Sequence, residues 1–162
     1  LKQHQGQHQK QLLRKEKMTQ KNTLAIKDYL DIQNLYALYN LSSDEADSET
    51  YASCFTDDGV LEAPTIGIGV SGREALVAHK ERDKANRGGR YRRHWNGSLH
   101  LELKPDGSVL GRCYLVAYNG IPGELPVLAD CGVYEDTLIC RDGEWKFSKR
   151  ILTMDGSSWG KN

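Results

Sequence analysis

The sequence predicts an α+β domain: helices first, then a long-stranded, mainly antiparallel sheet that curls around them. Three observations carry this. Apolar side chains between Leu24 and Leu41 recur at helical spacing. Beyond residue 91, apolar and polar residues alternate through four long runs. Those runs are separated by turn sequences, among them Lys104-Pro105-Asp106-Gly107 and Arg141-Asp142-Gly143. The strands are too long and too apolar to leave a face bare, so the sheet must wrap the helices.

The elements follow in order. Residues 1–17 are rich in Gln, His, Lys and Arg and offer little beyond Leu12 and Leu13 to bury. We read 1–20 as a disordered or extraneous leader and 21–162 as a single domain, a size that builds one core. The first helix carries Ile26, Leu30, Leu35, Leu38 and Leu41 with Tyr29, Tyr36 and Tyr39, and Ser42-Ser43-Asp44 interrupts it. Ser43 or Asp44 then caps a short second helix running through Tyr51 to Phe55. Asp57-Asp58-Gly59 reads as a turn before a strand near Val60-Leu61-Glu62. Ser71-Gly72-Arg73-Glu74 opens a helix towards Ala85, which Arg87-Gly88-Gly89 ends. Strands are expected at 91–103, 108–118, 127–140 and 144–154.

Composition narrows the function. The 22 basic and 22 acidic residues cancel overall. The leader is basic, so the rest is mildly acidic, which speaks against a nucleic-acid platform. There is no run of membrane-spanning length and no secretory signal, which suggests a cytoplasmic protein with no membrane partner. Cys54, Cys113, Cys131 and Cys140 are dispersed without CxxC spacing and read as small buried thiols. No phosphate loop, HExxH or GxSxG occurs, so cofactor-free acid–base chemistry with no metal is expected.

The segment Arg93-His94-Trp95-Asn96-Gly97-Ser98-Leu99-His100-Leu101-Glu102-Leu103 is the most informative. His94 and Leu99 are five positions apart, so a regular strand would put them on opposite faces. Gly97 and Ser98 are residues that a bulge or bend tolerates. A bent strand with a histidine at its far end suits a sheet curved around a pocket, and histidine changes charge nearest neutral pH. Taken alone, Asp44 reads as a helix cap, and Arg150, beside Lys149, as a surface cation or an inward side chain. Asp130 shares a face with Gly132 and Tyr134. It is a second acid or base if that face is the cavity, and an edge charge if it is not. Tyr36 and Tyr39 on the first helix, with Trp95, Tyr114 and Tyr134 on strands, are candidate substrate-binding residues or ordinary packing aromatics. His79 is expected in solvent and His100 on the outer face of the sheet.

The order of parts resembles a known family. Ile32-Gln33-Asn34-Leu35-Tyr36, Asp44, Phe55-Thr56-Asp57-Asp58-Gly59, Gly72-Arg73-Glu74-Ala75-Leu76, His94 and Asp142-Gly143-Glu144-Trp145-Lys146-Phe147 look like the SnoaL-like branch of the nuclear transport factor 2-like superfamily. Hexachlorocyclohexane dehydrochlorinase and scytalone dehydratase are the comparisons that fit. The resemblance implies a cystatin-like, cone-shaped barrel with a ligand cavity at its open end. It also implies an Asp44–His94 general-base dyad, with Arg150 assisting a departing anion. The substrate would be a hydrophobic cyclic small molecule, and the chain would form a homodimer or homotrimer. The implied activity is that of a cofactor-independent lyase or isomerase of dehydratase, dehydrochlorinase or cyclase type. Two alternatives share the fold: a non-catalytic binding or assembly module, and the structural small subunit of a ring-hydroxylating dioxygenase.

Overall fold

The computed structural model describes residues 23–158. The leader expected over 1–20 lies outside the described residues. The chain runs α1 (Ile26–Glu45), α2 (Ser48–Ser53), β1 (Phe55–Ala63), a 3-10 turn (Pro64–Ile66), β2 (Ile68–Ser71), α3 (Arg73–Asn86), β3 (Tyr91–Leu103), β4 (Val109–Gly120), β5 (Val127–Arg141) and β6 (Glu144–Ser157). Six strands form one sheet in the order β2-β1-β6-β5-β4-β3. Neighbours are antiparallel except β1 and β6, which are parallel. The α+β class and the sheet curved around the helices are as expected. The sheet is open, with β2 and β3 at its edges. No described helix is long and apolar enough to cross a membrane.

Three local expectations are corrected. The first helix does not stop at Ser42 but continues to Glu45. Ala46 then turns it off in the left-handed conformation, and Asp47 donates its N–H to Ser42 O at 2.9 Å. Asp47 caps α2, accepting from the Thr50 N–H at 3.1 Å, so Asp44 is not a cap. Asp57-Asp58-Gly59 is no turn: it lies within β1, where the register against β6 shifts between Phe55 and Val60. The buried stripe of α1 is Ile32, Leu35, Tyr36, Tyr39, Ser42 and Ser43, at helical i, i+3, i+4, i+7 spacing. Ile26, Leu30, Leu38 and Leu41 are exposed instead, on the opposite side. The four cysteines are free, with Cys54 and Cys113 buried and Cys140 exposed.

An aromatic core joins α1, α2, β1 and β6. Tyr36, Tyr39, Tyr51, Phe55 and Phe147 pack with ring centroids 5.0–5.9 Å apart. Two glycines permit close approaches that this packing needs. A Cβ at Gly111 would stand 2.3 Å from the Tyr36 hydroxyl. One at Gly132 would stand 2.3 Å from the Thr153 carbonyl oxygen, where the β5–β6 register shifts.

Candidate active site

The bend expected in β3 is present. The β3–β4 register shifts between Gly97 and His100, and Ser98 takes φ 56°, in the left-handed region. Before the bulge His94 and Asn96 face inward; after it Leu99, Leu101 and Leu103 do. One extra residue therefore puts the imidazole on the same side of the sheet as the core leucines.

Asp44, in the last turn of α1, meets this strand with both oxygens. Oδ1 lies 2.5 Å from His94 Nδ1, and Oδ2 accepts the His94 backbone N–H at 3.0 Å. Asn40, one turn earlier, donates to Asn96 Oδ1 at 2.7 Å. A carboxylate at Nδ1 assigns the ring proton to that nitrogen and leaves the lone pair on Nε2. Burial lowers the His94 pKa, against the hydrogen bond it donates to Asp44, and nearby Arg92 pushes the same way as burial. The ring is thus neutral at pH 7, the form in which it accepts a proton. Asp44 sits at the negative end of a helix, where the last carbonyls lack helical partners. Arg87, the C-cap of α3, supplies them: Nη1 donates to Asp44 O and Nη2 to Ser43 O, each at 2.5 Å.

His94 lines a cavity of about 70 Å³. One part of its wall is polar: Ser43, Lys80, Asp83, Arg92 and Asp130. The rest is apolar or aromatic, including Tyr39, Tyr51, Leu61, Ile66, Ile68, Tyr134 and Met154. Small-molecule sites typically hold about 300 Å³ or more. A ring-sized ligand therefore requires the cavity walls to move outward.

Some expected site residues reach this cavity and others do not. Asp44 and His94 are brought together, and Tyr39, Tyr134 and Asp130 line the cavity with His94. Asp130 is buried but engaged: it pairs with Arg92 and accepts from Ser157 Oγ at 2.6 Å and the Ser158 N–H at 3.0 Å. Trp95 and Tyr114 are corrected. Trp95 alternates with His94 and Asn96, Tyr114 alternates with buried Cys113 and Leu115, and both are exposed on the outer face of the sheet. Tyr36 lies apart from the cavity and donates to Asp136 Oδ2 at 2.5 Å. Arg150 points inward but stops behind the aromatic layer. Its Cζ is 3.7 Å from the Tyr134 ring centroid, 4.1 Å from Tyr39 and 4.3 Å from Phe147, and its Nε is 3.2 Å from Asp136 Oδ1. Its side chain is fully buried and is not among the cavity-lining groups.

His79 and the Lys80–Asp83–Arg87–Arg92 cluster are the residues sequence reasoning missed. His79 is part-buried on the cavity wall, and burial, with Lys80 adding, pushes its pKa down to about 4. Lys80 donates to Ser43 Oγ at 2.8 Å and Asp83 Oδ2 at 3.2 Å, and Arg87 reaches Asp83 at 2.6 Å. A signal was present: Leu76, Lys80, Asp83 and Arg87 fall at i, i+4, i+7 and i+11. They share the stripe that buries Leu76.

Comparisons with known proteins support the family and the fold. A family model described as a SnoaL-like domain matches residues 25–151. No curated protein matches. Among solved structures, the chain is similar to ActVI-ORFA from Streptomyces coelicolor at 25% identity, covering 78% of this chain and 97% of that one, with TM-score 0.71. It is similar to a variant of Rv3472, a protein of unknown function from Mycobacterium tuberculosis, at 31% identity, covering 78% and 71%, with TM-score 0.69. A provisionally assigned scytalone dehydratase from Novosphingobium aromaticivorans shares the fold at 23% identity, covering 81% and 86%, with TM-score 0.69.

Proposed function

The chain belongs to the SnoaL-like family, and from that premise we propose that it is a cofactor-independent lyase or isomerase acting on a hydrophobic ring compound. The family often includes isomerases, cyclases and dehydratases. The observation that carries the reading is the Asp44–His94 pair: a carboxylate bidentate to one residue, 2.5 Å from Nδ1, behind an imidazole that lines a cavity. In the proposed step, His94 Nε2 takes a proton from a carbon beside a carbonyl or a leaving group. Asp44 holds the tautomer and stabilises the imidazolium that forms. The negative charge left on the substrate moves away from the base, to where phenols stand. Tyr39 and Tyr51 hydroxyls are 3.3 Å apart on the wall, with Tyr134 beside them. Burial holds all three well above the usual phenol range, so they remain donors at neutral pH. Arg150, behind these rings, stabilises their placement rather than touching the substrate.

The test is proton exchange in heavy water across a panel of ring ketones and hydroxylated ring ketones. Deuterium enters beside the carbonyl with the native protein. His94→Ala slows entry by about 10²–10⁴-fold, the usual size of a general-base contribution. If compounds bind and none exchanges, the enzyme reading fails, and a binding module of the same fold takes its place.

A further inference from the structure

We propose that Lys80 is the proton donor of this cavity, acting on a substrate oxygen while His94 works on the adjacent carbon, which makes the substrate a ring bearing an oxo group. The inference rests on the proposed base role of His94 for its complementary step. Its geometric support is separate from that role.

Lys80 lines the cavity with a side chain only 6% exposed, and its ammonium lies 4.5 Å over the Tyr51 ring. Ser43 and Asp83 take two of its three protons. Ser43 and Asp44 are consecutive, so one turn of α1 holds Lys80 by the first residue and His94 by the second. Arg87 ties the carbonyls of both to α3. Acid and base are thus mounted on one clamped turn. The other cations nearby are occupied: Arg92 lies between Asp83 and Asp130, and Arg150 is behind the aromatic layer.

Charge balance agrees. Asp83 of α3, Arg87 just after it and Arg92 of β3 act on Lys80 directly, and the same cluster continues through Arg92 to Asp130 of β5 and through His94 of β3 to Asp44 of α1. The Tyr51 ring of α2 and the neutral imidazole of His79 add no charge. Once His94 holds a proton, four cations oppose three carboxylates, and an anionic oxygen on the substrate restores balance. Burial pushes the Lys80 ammonium down to about 8 against the pull of Asp83, so it is protonated at pH 7 and yields its proton readily. In the step, the C–H bond breaks to His94 Nε2 and its electron pair forms the C=C bond. The carbonyl π pair moves to oxygen, and the Lys80 proton completes an enol, leaving a neutral amine.

The experiment uses 4-nitrophenol, a ring oxygen whose ionisation is visible by absorbance, with no turnover required. The native protein draws the bound probe towards phenolate. Lys80→Met binds phenolate about 10- to 100-fold more weakly, the size expected for a charge-assisted hydrogen bond. Lys80→Arg keeps the preference. In the native protein, with lysine carbon-labelled, the Lys80 ε-CH₂ resonance shifts on adding the probe, so the outcome does not depend on the variant folding. Phenolate bound equally well by Lys80→Met, an unshifted Lys80 resonance, or a probe that does not bind would each overturn the proposal. Deuterium exchange plays no part here, so failure of the base reading remains a separate result.

Discussion

Replacing Asp44 by Asn isolates what its charge does. Asn keeps the size and one carbonyl oxygen, so it still accepts the His94 backbone N–H that Oδ2 accepts at 3.0 Å. Its amide then faces Nδ1, where a carboxylate oxygen stood at 2.5 Å. An amide N–H there requires Nδ1 to accept, which moves the ring proton to Nε2 and removes the Nε2 lone pair. Two magnitudes follow. Exchange falls by about 10²–10⁴-fold, because the base is held in the wrong tautomer. Stability falls by only about 1 kcal/mol, since one hydrogen bond is exchanged for a weaker one. For a chain of this size that is a Tm decrease of roughly 2–4 °C. Long-range proton–nitrogen NMR of the His94 ring reads the tautomer, and exchange in heavy water reads the rate. If the native Nδ1–H tautomer persists in Asp44→Asn, or exchange proceeds at the native rate, the dyad argument is refuted. A collapse of Tm would show that the pair is structural.

Arg150→Met separates structure from chemistry in the other direction. It leaves fully buried Asp136 without its cation. Breaking such a pair typically costs about 3–5 kcal/mol, so thermal melting should show a fall of roughly 10 °C or more; an unchanged Tm with lost activity would return Arg150 to the chemistry. His79 makes the fold sensitive to acid. Burial lowers its pKa to about 4, so the unfolded chain takes up this proton first as pH falls. Its contribution is complete above about pH 6.5 and is lost towards pH 4, the range set by ordinary and lowered histidine values. Urea midpoints for His79→Gln should therefore decline less between about pH 7 and 4.5 than those of the native chain, and parallel declines would count against this.

What was legible depends on how local the determinant is. The ends of β3, its bulge at Gly97-Ser98 and the hairpin at Pro105-Asp106-Gly107 follow from alternation and turn chemistry within a few residues. The end of α1 is misleading in sequence, because Ser42-Ser43-Asp44 has cap composition while the real break is Ala46-Asp47. Nothing in local pattern joins Asp44 to His94, fifty residues on; the family spacing supplied that pairing. The Lys80 cluster is hidden for a different reason. Lys-Glu-Arg-Asp on a helix has the composition of a solvated face, and only the shared stripe with Leu76 marks Lys80 and Asp83 as inward. Trp95 and Tyr114 are misplaced by chemistry-first reasoning, although alternation already puts Trp95 on the opposite face from His94.

The strand that carries His94 is the last in the sheet, with a partner on one side only. Beyond β4 it is held by a few side chains, Asn40 and Asp44 of α1 and, through Arg92, Asp83 of α3. Border strands fray at a smaller free-energy cost than central ones. Warming should therefore disorder the imidazole's mounting while Phe147 and its aromatic neighbours are still packed, so the His94 ring resonances should broaden before the chain melts.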